Sequence, residues 1–241
     1  MGDSDEIKFF NKDNFIIVGR ALFDPDRLRA VRRKIETEWN QLAVRDERGA
    51  EGLKVGVAPD TLRLREEWYS IWETTNLSLL TRHIPQFDQV IYPPQIRTVR
   101  DRPSFVGWHQ DIAYMRALGA RGHSEVMTCY VPLDEDTSGR PSLQFYINPE
   151  QSAIAHDDRA DAMFNSLRLY KRDEPAESCK TYELRLGDAF LFGKLVVHRT
   201  HAMTDSFSPR TSMEFRLTTR PGSIKGKDYF DLTTMRFRKE I

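Results

Sequence analysis

The chain has 241 residues, with 36 Lys+Arg against 36 Asp+Glu, 39% hydrophobic and 30% charged residues. That length and apolar content can bury a sizeable core, which argues against wholesale disorder, and the cancelled charge argues against electrostatic binding of nucleic acid or a membrane surface. No run approaches the ~18 apolar residues of a membrane span, the acidic start Met1-Gly2-Asp3-Ser4-Asp5-Glu6 has no apolar signal region, and Cys129 and Cys179 form no zinc spacing.

The first predicted helix opens at Asp24-Pro25-Asp26, where Asp24 suits an N-cap and Pro25 the first helical position. Leu28, Val31, Ile35, Trp39 and Leu42 follow at helical spacing. Arg27, Arg29, Arg32 and Arg33 share that helix and read as its solvated face. Gly49 to Asp60 reads as a loop, and a second helical region is predicted from Thr61 to Thr81, with Trp68, Ile71 and Trp72 on its apolar side. From Gln89 the texture changes to short apolar or alternating runs. The predicted strands are Val90–Tyr92, Ile96–Val99, Phe105–Ile112, Val126–Leu133, Ser142–Ile147, Thr181–Leu186, Ala189–Phe192, Leu195–His198 and Ser212–Thr218. Turns are expected at Asp134–Pro141 and Gly187-Asp188, and a helical insertion near 149–168. Many short strands with few helices between them predict an all-β sandwich or barrel. The expected organisation is one domain over 1–241, with a helical N-terminal layer over 1–88 and a strand-rich core over 89–241.

His109 and Asp111 stand two residues apart in the Phe105–Ile112 run, and on a strand i and i+2 share a face. An imidazole and a carboxylate directed at one point are two thirds of a 2-His-1-carboxylate site, the donor set that suits non-haem Fe(II) and leaves positions open. A second His-x-Asp, at His156-Asp157-Asp158, lies in an Ala-rich stretch, where its acids read as first-turn helix residues. The third ligand must come from a neighbouring strand. His198 closes the apolar run Leu195-Val196-Val197 and is favoured over His201, which lies in the polar stretch beyond. On the last long strand Arg210, Ser212, Glu214 and Arg216 alternate with Thr211, Met213, Phe215 and Leu217. An arginine directed into a barrel needs an anion, either a bound dicarboxylate or a carboxylate such as Glu214 on the protein itself. Arg97, Arg100, Arg102 and Arg116 flank the first ligand segment, and Trp68, Tyr69 and Trp72 precede it. They suit either an anionic or aromatic substrate or ordinary strand-edge and core roles.

His109-x-Asp111, the Gly187-Asp188 turn, the distal His198 and Arg210 a dozen positions later resemble, in that order, the Fe(II)/2-oxoglutarate-dependent dioxygenases. The phytanoyl-CoA hydroxylase-like branch is nearest, sharing an aromatic before the first ligand (Trp108), a Tyr soon after it (Tyr114), Pro132 to Asp136 at a strand end, and Asn14-Phe15-Ile16-Ile17-Val18 ahead of a helix. The resemblance spans nearly the whole chain. It departs where His198-Arg199-Thr200-His201 replaces the small residues many relatives carry, and in a length short for the branch.

The resemblance implies a mainly β fold, a double-stranded β-helix or jelly-roll (cupin-like) core with N-terminal helices packed on one face. It implies Fe(II) held by His109, Asp111 and His198, with 2-oxoglutarate and O2 in the open positions. It also implies that Arg210 anchors the far carboxylate, with Arg216 in reserve and Thr200 hydrogen-bonding the cosubstrate. Trp108, Tyr114 and Arg116, which stand around the first ligand segment, are the candidate substrate contacts. Relatives that halogenate carry Ala or Gly where Asp111 stands, so the implied reaction is an oxygen-based oxidation, hydroxylation first. The implied substrate is a small metabolite or natural-product intermediate, acted on by a cytoplasmic monomer or homodimer with no nucleic-acid or membrane partner. Two other readings stay open: a cupin-type metalloenzyme that does not use 2-oxoglutarate, and a non-catalytic jelly-roll binding module.

Overall fold

The computed structural model of the protein describes residues 6–11, 13–45, 65–99, 106–117, 125–135, 137, 140–147, 152–154, 178–202, 208–220 and 227–238. Eleven strands among these residues form two antiparallel sheets. They are β1 (Glu6–Asn11), β2 (Asn14–Gly19), β3 (Gln89–Val99), β4 (Val126–Pro132), β5 (Ser142–Tyr146), β6 (Cys179–Thr181), β7 (Ala189–Gly193), β8 (Val197–His201), β9 (Arg210–Thr218), β10 (Asp228–Asp231) and β11 (Arg236–Arg238). The larger sheet has the order β1-β2-β7-β4-β9-β3-β10-β11, and the smaller β6-β5-β8. This is the mainly β, jelly-roll architecture that the sequence leads one to expect.

Alternation along the strands sorts the two sides of the large sheet. Phe15 and Ile17 of β2, Cys129 and Val131 of β4, Leu191 of β7, and Met213, Phe215 and Leu217 of β9 share the outer core with the helices. The helices are α1 (Pro25–Arg45), α2 (Arg65–Glu73) and α3 (Leu77–His83). Trp68 and Trp72 meet Phe215 edge-on with centroids 4.6 and 5.0 Å apart. Both tryptophans are therefore core residues and not substrate contacts. The opposite side of β2, β4 and β7 faces the small sheet: Ile16, Val18, Tyr130, Phe190 and Phe192 pack with Leu143 and Phe145 of β5.

Several sequence expectations need correction. The stretch 1–88 is not purely helical, because β1 and β2 form a hairpin whose second strand pairs with β7. The single helix expected over Thr61–Thr81 is two, broken at Thr74 to Asn76, where the backbone N–H of Asn76 turns to Leu22 O at 2.8 Å. The runs Val90–Tyr92 and Ile96–Val99 are one strand, β3, with an irregularity: Ile91 to Gln95 stands opposite only Arg216 to Glu214. Pro93 and Pro94 lie in that excess, where residues lacking an N–H cost no ladder bond. The loop at 49–60 and the helical insertion near 149–168 fall largely outside the described residues, as do Arg100, Arg102 and the second His-x-Asp. No helix among the described residues is long and apolar enough to cross a membrane.

The Gly187-Asp188 turn is present. Gly187 has φ +102°, and a Cβ there would come within 2.9 Å of Phe23 O. Asp188 accepts from the backbone N–H groups of Ala21 and Arg185 and from Arg20, which ties the entry of β7 to the end of β2.

Candidate metal centre

His109 and His198 face each other across a single bridge, with paired backbone hydrogen bonds of 2.9 and 3.0 Å. Of the strand expected over Phe105–Ile112, the described residues keep only this bridge. Asp111 instead opens a short helix, α4 (Asp111–Ala117). Gln110 accounts for the bend: its fully buried amide donates to Ser152 O and Leu195 O and accepts from Ile154 N. The chain turns there, so His109 and Asp111 do not share a strand face but converge on one point from either side of a corner.

The ligand atoms of His109, Asp111 and His198 lie within 4.8 Å of one another. Each imidazole uses Nδ1 on a backbone carbonyl, His109 on Gly107 O at 2.8 Å and His198 on Val196 O at 3.0 Å. An Nδ1–H donated to a carbonyl leaves Nε2 with its lone pair, the tautomer a metal ligand needs. Both Nε2 atoms stand 3.8 Å from Asp111 Oδ1. Burial lowers the pKa of both histidines, His109 from 6.5 to about 3, so both rings are neutral at physiological pH. Burial alone would raise the Asp111 carboxyl, but Arg216 leads the neighbouring groups that outweigh it and hold it below the usual carboxylate range. Two neutral imidazoles and a carboxylate are ready to bind without first losing protons. His201 is half-buried on the other face of β8, outside the cluster, because successive side chains alternate.

The triad borders a pocket open to solvent. Its polar wall carries Gln95, Arg97, Thr200, Glu214 and Arg216, and its apolar wall Val106, Leu143 and Phe192. Arg97, grouped in the sequence reading with strand-edge charges, is a buried cavity residue. In-register pairing of Arg97 with Ser212 puts it on the inward face, a placement visible only once β3 and β9 are aligned.

The two arginines of β9 differ. Arg216 Nη2 lies 3.3 Å from Glu214 Oε2 and 3.6 Å from Asp111 Oδ2, so protein carboxylates already engage it. Arg210 is 2% exposed, donates Nη1 to Pro141 O at 2.6 Å and lies over the Tyr130 ring at 5.2 Å. Its Nε and Nη2 have no hydrogen-bond partner among the described residues, nor does the Thr200 hydroxyl. Ser212, one position inward from Arg210 on the same face, faces the Tyr130 phenol. The sequence reading set it on the polar face with Arg210 but gave it no role, although Arg-x-Ser spacing on a strand places both side chains together.

Trp108 does not line the cavity; it stacks on Arg199 at 4.4 Å, since the residue beside His109 on a strand points the other way. Tyr114 and Arg116 lie on α4, and their side chains are outside the described structure.

The residues fit the implied groups. Two imidazoles and a carboxylate suit Fe(II) with positions left for 2-oxoglutarate and O2, and the open donors of Arg210 and Thr200 suit a carboxylate.

No protein-family model matches the chain, and no curated protein matches it in sequence. Solved structures do match its fold. ThoJ, a non-heme monooxygenase, aligns with a TM-score of 0.58 at 11% identity, covering 86% of this chain and 75% of ThoJ. SnoK, a non-heme alpha ketoglutarate dependent carbocyclase from nogalamycin biosynthesis, gives 0.58 at 16%, over 87% and 81%. The epimerase SnoN, solved with Fe3+, alpha ketoglutarate and nogalamycin RO, gives 0.52 at 15%, over 86% and 80%. The chain has the fold of the non-haem 2-oxoglutarate-dependent oxygenases. These neighbours agree with the phytanoyl-CoA hydroxylase-like branch without singling it out.

Proposed function

We propose that the protein is a non-haem Fe(II)- and 2-oxoglutarate-dependent oxygenase that hydroxylates an unactivated C–H bond of a small metabolite or natural-product intermediate. The observation that carries this reading is one arrangement: a buried His-Asp-His cluster with both Nε2 atoms turned inward, in the same barrel as a buried arginine that makes no ion pair with a carboxylate among the described residues. When bound, iron and 2-oxoglutarate supply the activation of O2 that oxidises a C–H bond, with release of succinate and CO2. His109, Asp111 and His198 hold the metal. Arg210 takes the far carboxylate of the cosubstrate, a charge-assisted contact that a planar guanidinium makes with two parallel hydrogen bonds. Thr200 donates its hydroxyl to the cosubstrate from the cavity wall. Leu143 and Phe192 exclude water, which strengthens each of these polar contacts.

The test is succinate release with Fe(II) and 2-oxoglutarate across fractionated metabolite pools, under O2 and under nitrogen. Oxygen-dependent succinate is expected from the wild type and none from His198→Ala. Activity and iron retained in His198→Ala but lost in His201→Ala would overturn the ligand assignment. Metal uptake without any 2-oxoglutarate turnover would favour the cupin-type reading.

A further inference from the structure

Only one oxygen of Asp111 faces the imidazoles. Oδ1 lies 3.8 Å from each Nε2, while Oδ2 turns toward the large sheet. There Thr128 of β4 donates its hydroxyl to Oδ2, and Arg216 Nη2 of β9 stands 3.6 Å away. Thr128 and Arg216 are direct partners in the β4–β9 ladder, so adjacent strands present the two donors side by side. Arg216 is held in turn by Glu214, and Glu214 Oε1 meets Arg97 of β3 at 3.7 Å. All of these side chains are buried, so their charges act with little screening by water.

We propose that Arg216 and Thr128 are positioning residues that hold Oδ2 of Asp111 away from the metal, so that Asp111 binds through Oδ1 alone. The proposal rests on the reading of the triad as an Fe(II) site. A carboxylate can bind a cation through one oxygen or both. A second bond from Asp111 would occupy a position that two histidines and a single carboxylate oxygen leave open for reactants. Thr128 and Arg216 oppose that rotation by giving Oδ2 a hydrogen bond and a cation on the side away from the histidines. Glu214 and Arg97 keep Arg216 from swinging into the cavity. The sequence reading kept Arg216 in reserve as a cosubstrate anchor; its engagement with Asp111 and Glu214 assigns it this other task.

Cobalt(II) tests the proposal without turnover, because its visible spectrum reports coordination number and geometry. Its binding is measured on the wild type, His198→Ala, Arg216→Met, Arg216→Lys and Thr128→Val, with no cosubstrate present. Arg216→Met is expected to weaken Co(II) binding by ~10–100-fold, the usual cost of losing a partner behind a ligand, and to change the spectrum. Arg216→Lys should recover part of the affinity, since it restores the charge without the planar fork. Thr128→Val should shift both readouts in the same direction by less. Should Arg216→Met not fold, the near-isosteric Thr128→Val carries the test. Wild-type affinity and spectrum in the folded variants would overturn the positioning role while His198→Ala still lost the metal. Failure of the wild type itself to bind Co(II) would overturn the metal centre, and the positioning role with it.

Discussion

Arg210 and Arg216 stand on the same face of one strand, six residues and, at ~3.3 Å per residue, roughly 20 Å of backbone apart. At the Arg216 end, two carboxylates, Asp111 and Glu214, lie within 3.6 Å of the guanidinium. At the Arg210 end, the contacts among the described residues are a carbonyl and an aromatic ring, with no carboxylate at ion-pair distance. Burial lowers the Arg210 pKa, which means that the site disfavours the charge it holds. Glu214 and Asp134 offset that cost only in part and from a distance, and buried charges with shifted pKa values cluster at functional sites. The difference separates the two: the protein's own acids touch Arg216, whereas none touches Arg210 among the described residues, which is why the proposed function gives Arg210 the acid from outside.

The comparison breaks most decisively at Arg210. Arg210→Ala removes a bidentate charged contact worth ~2–5 kcal/mol, or about 30-fold to several-thousand-fold in affinity. The 2-oxoglutarate requirement should rise by that factor while Co(II) binding stays at the wild-type level. Steady-state succinate release against 2-oxoglutarate concentration checks the first, and metal titration the second. A variant that lost metal but kept its 2-oxoglutarate requirement would exchange the roles of the two ends.

The candidate ligands were legible only in combination: His109 and Asp111 on an expected strand called for a distal histidine, His198, and the structure brings these three together, while Arg210 drew notice only beside them. Their conformation was less so. The strand expected through Asp111 fails because the Gln110 side chain satisfies three backbone groups from distant segments, a tertiary effect that no local pattern displays. Arg97 was hidden for a related reason. Both it and Thr98 are buried, so alternation of polarity along β3 does not say which face looks into the barrel. The N-terminal hairpin was half-visible: Phe15 to Val18 reads as apolar, but its place beside β7 depends on partners more than 170 residues away.

Acid sharpens the comparison next, because titratable ligands sit only at the Arg216 end. His109 has its pKa lowered from 6.5 to about 3 by burial, and His198 is lowered as well. Below pH 6.5 the unfolded chain therefore takes up protons that the folded one refuses. This part of the stability is complete above pH 6.5 and is lost as pH falls toward 3. At pH 5 the loss from His109 alone is about 2 kcal/mol at 1.36 kcal/mol per pH unit. The Tm of the metal-free protein should fall between pH 7 and 5, and His109→Gln should flatten that fall. A Tm that held constant over this range would mean that the histidines are not buried as described.

The smallest effect is expected at Thr200, and its value lies in having two signs. The Thr200 backbone N–H is fixed on Val106 O at 2.9 Å, so Thr200→Val leaves the strand unchanged and deletes only the hydroxyl. Without cosubstrate that hydroxyl is buried with no partner among the described residues, a condition that costs stability. Thr200→Val should therefore raise the Tm of the metal-free protein slightly. With cosubstrate the same hydroxyl has an acceptor, and losing one neutral hydrogen bond of ~1 kcal/mol should raise the 2-oxoglutarate requirement about 5-fold. Thermal melting and succinate release on the same preparation check both. A stabilised variant with an unchanged requirement would move the cosubstrate away from Thr200, and a destabilised one would mean that the hydroxyl serves the fold.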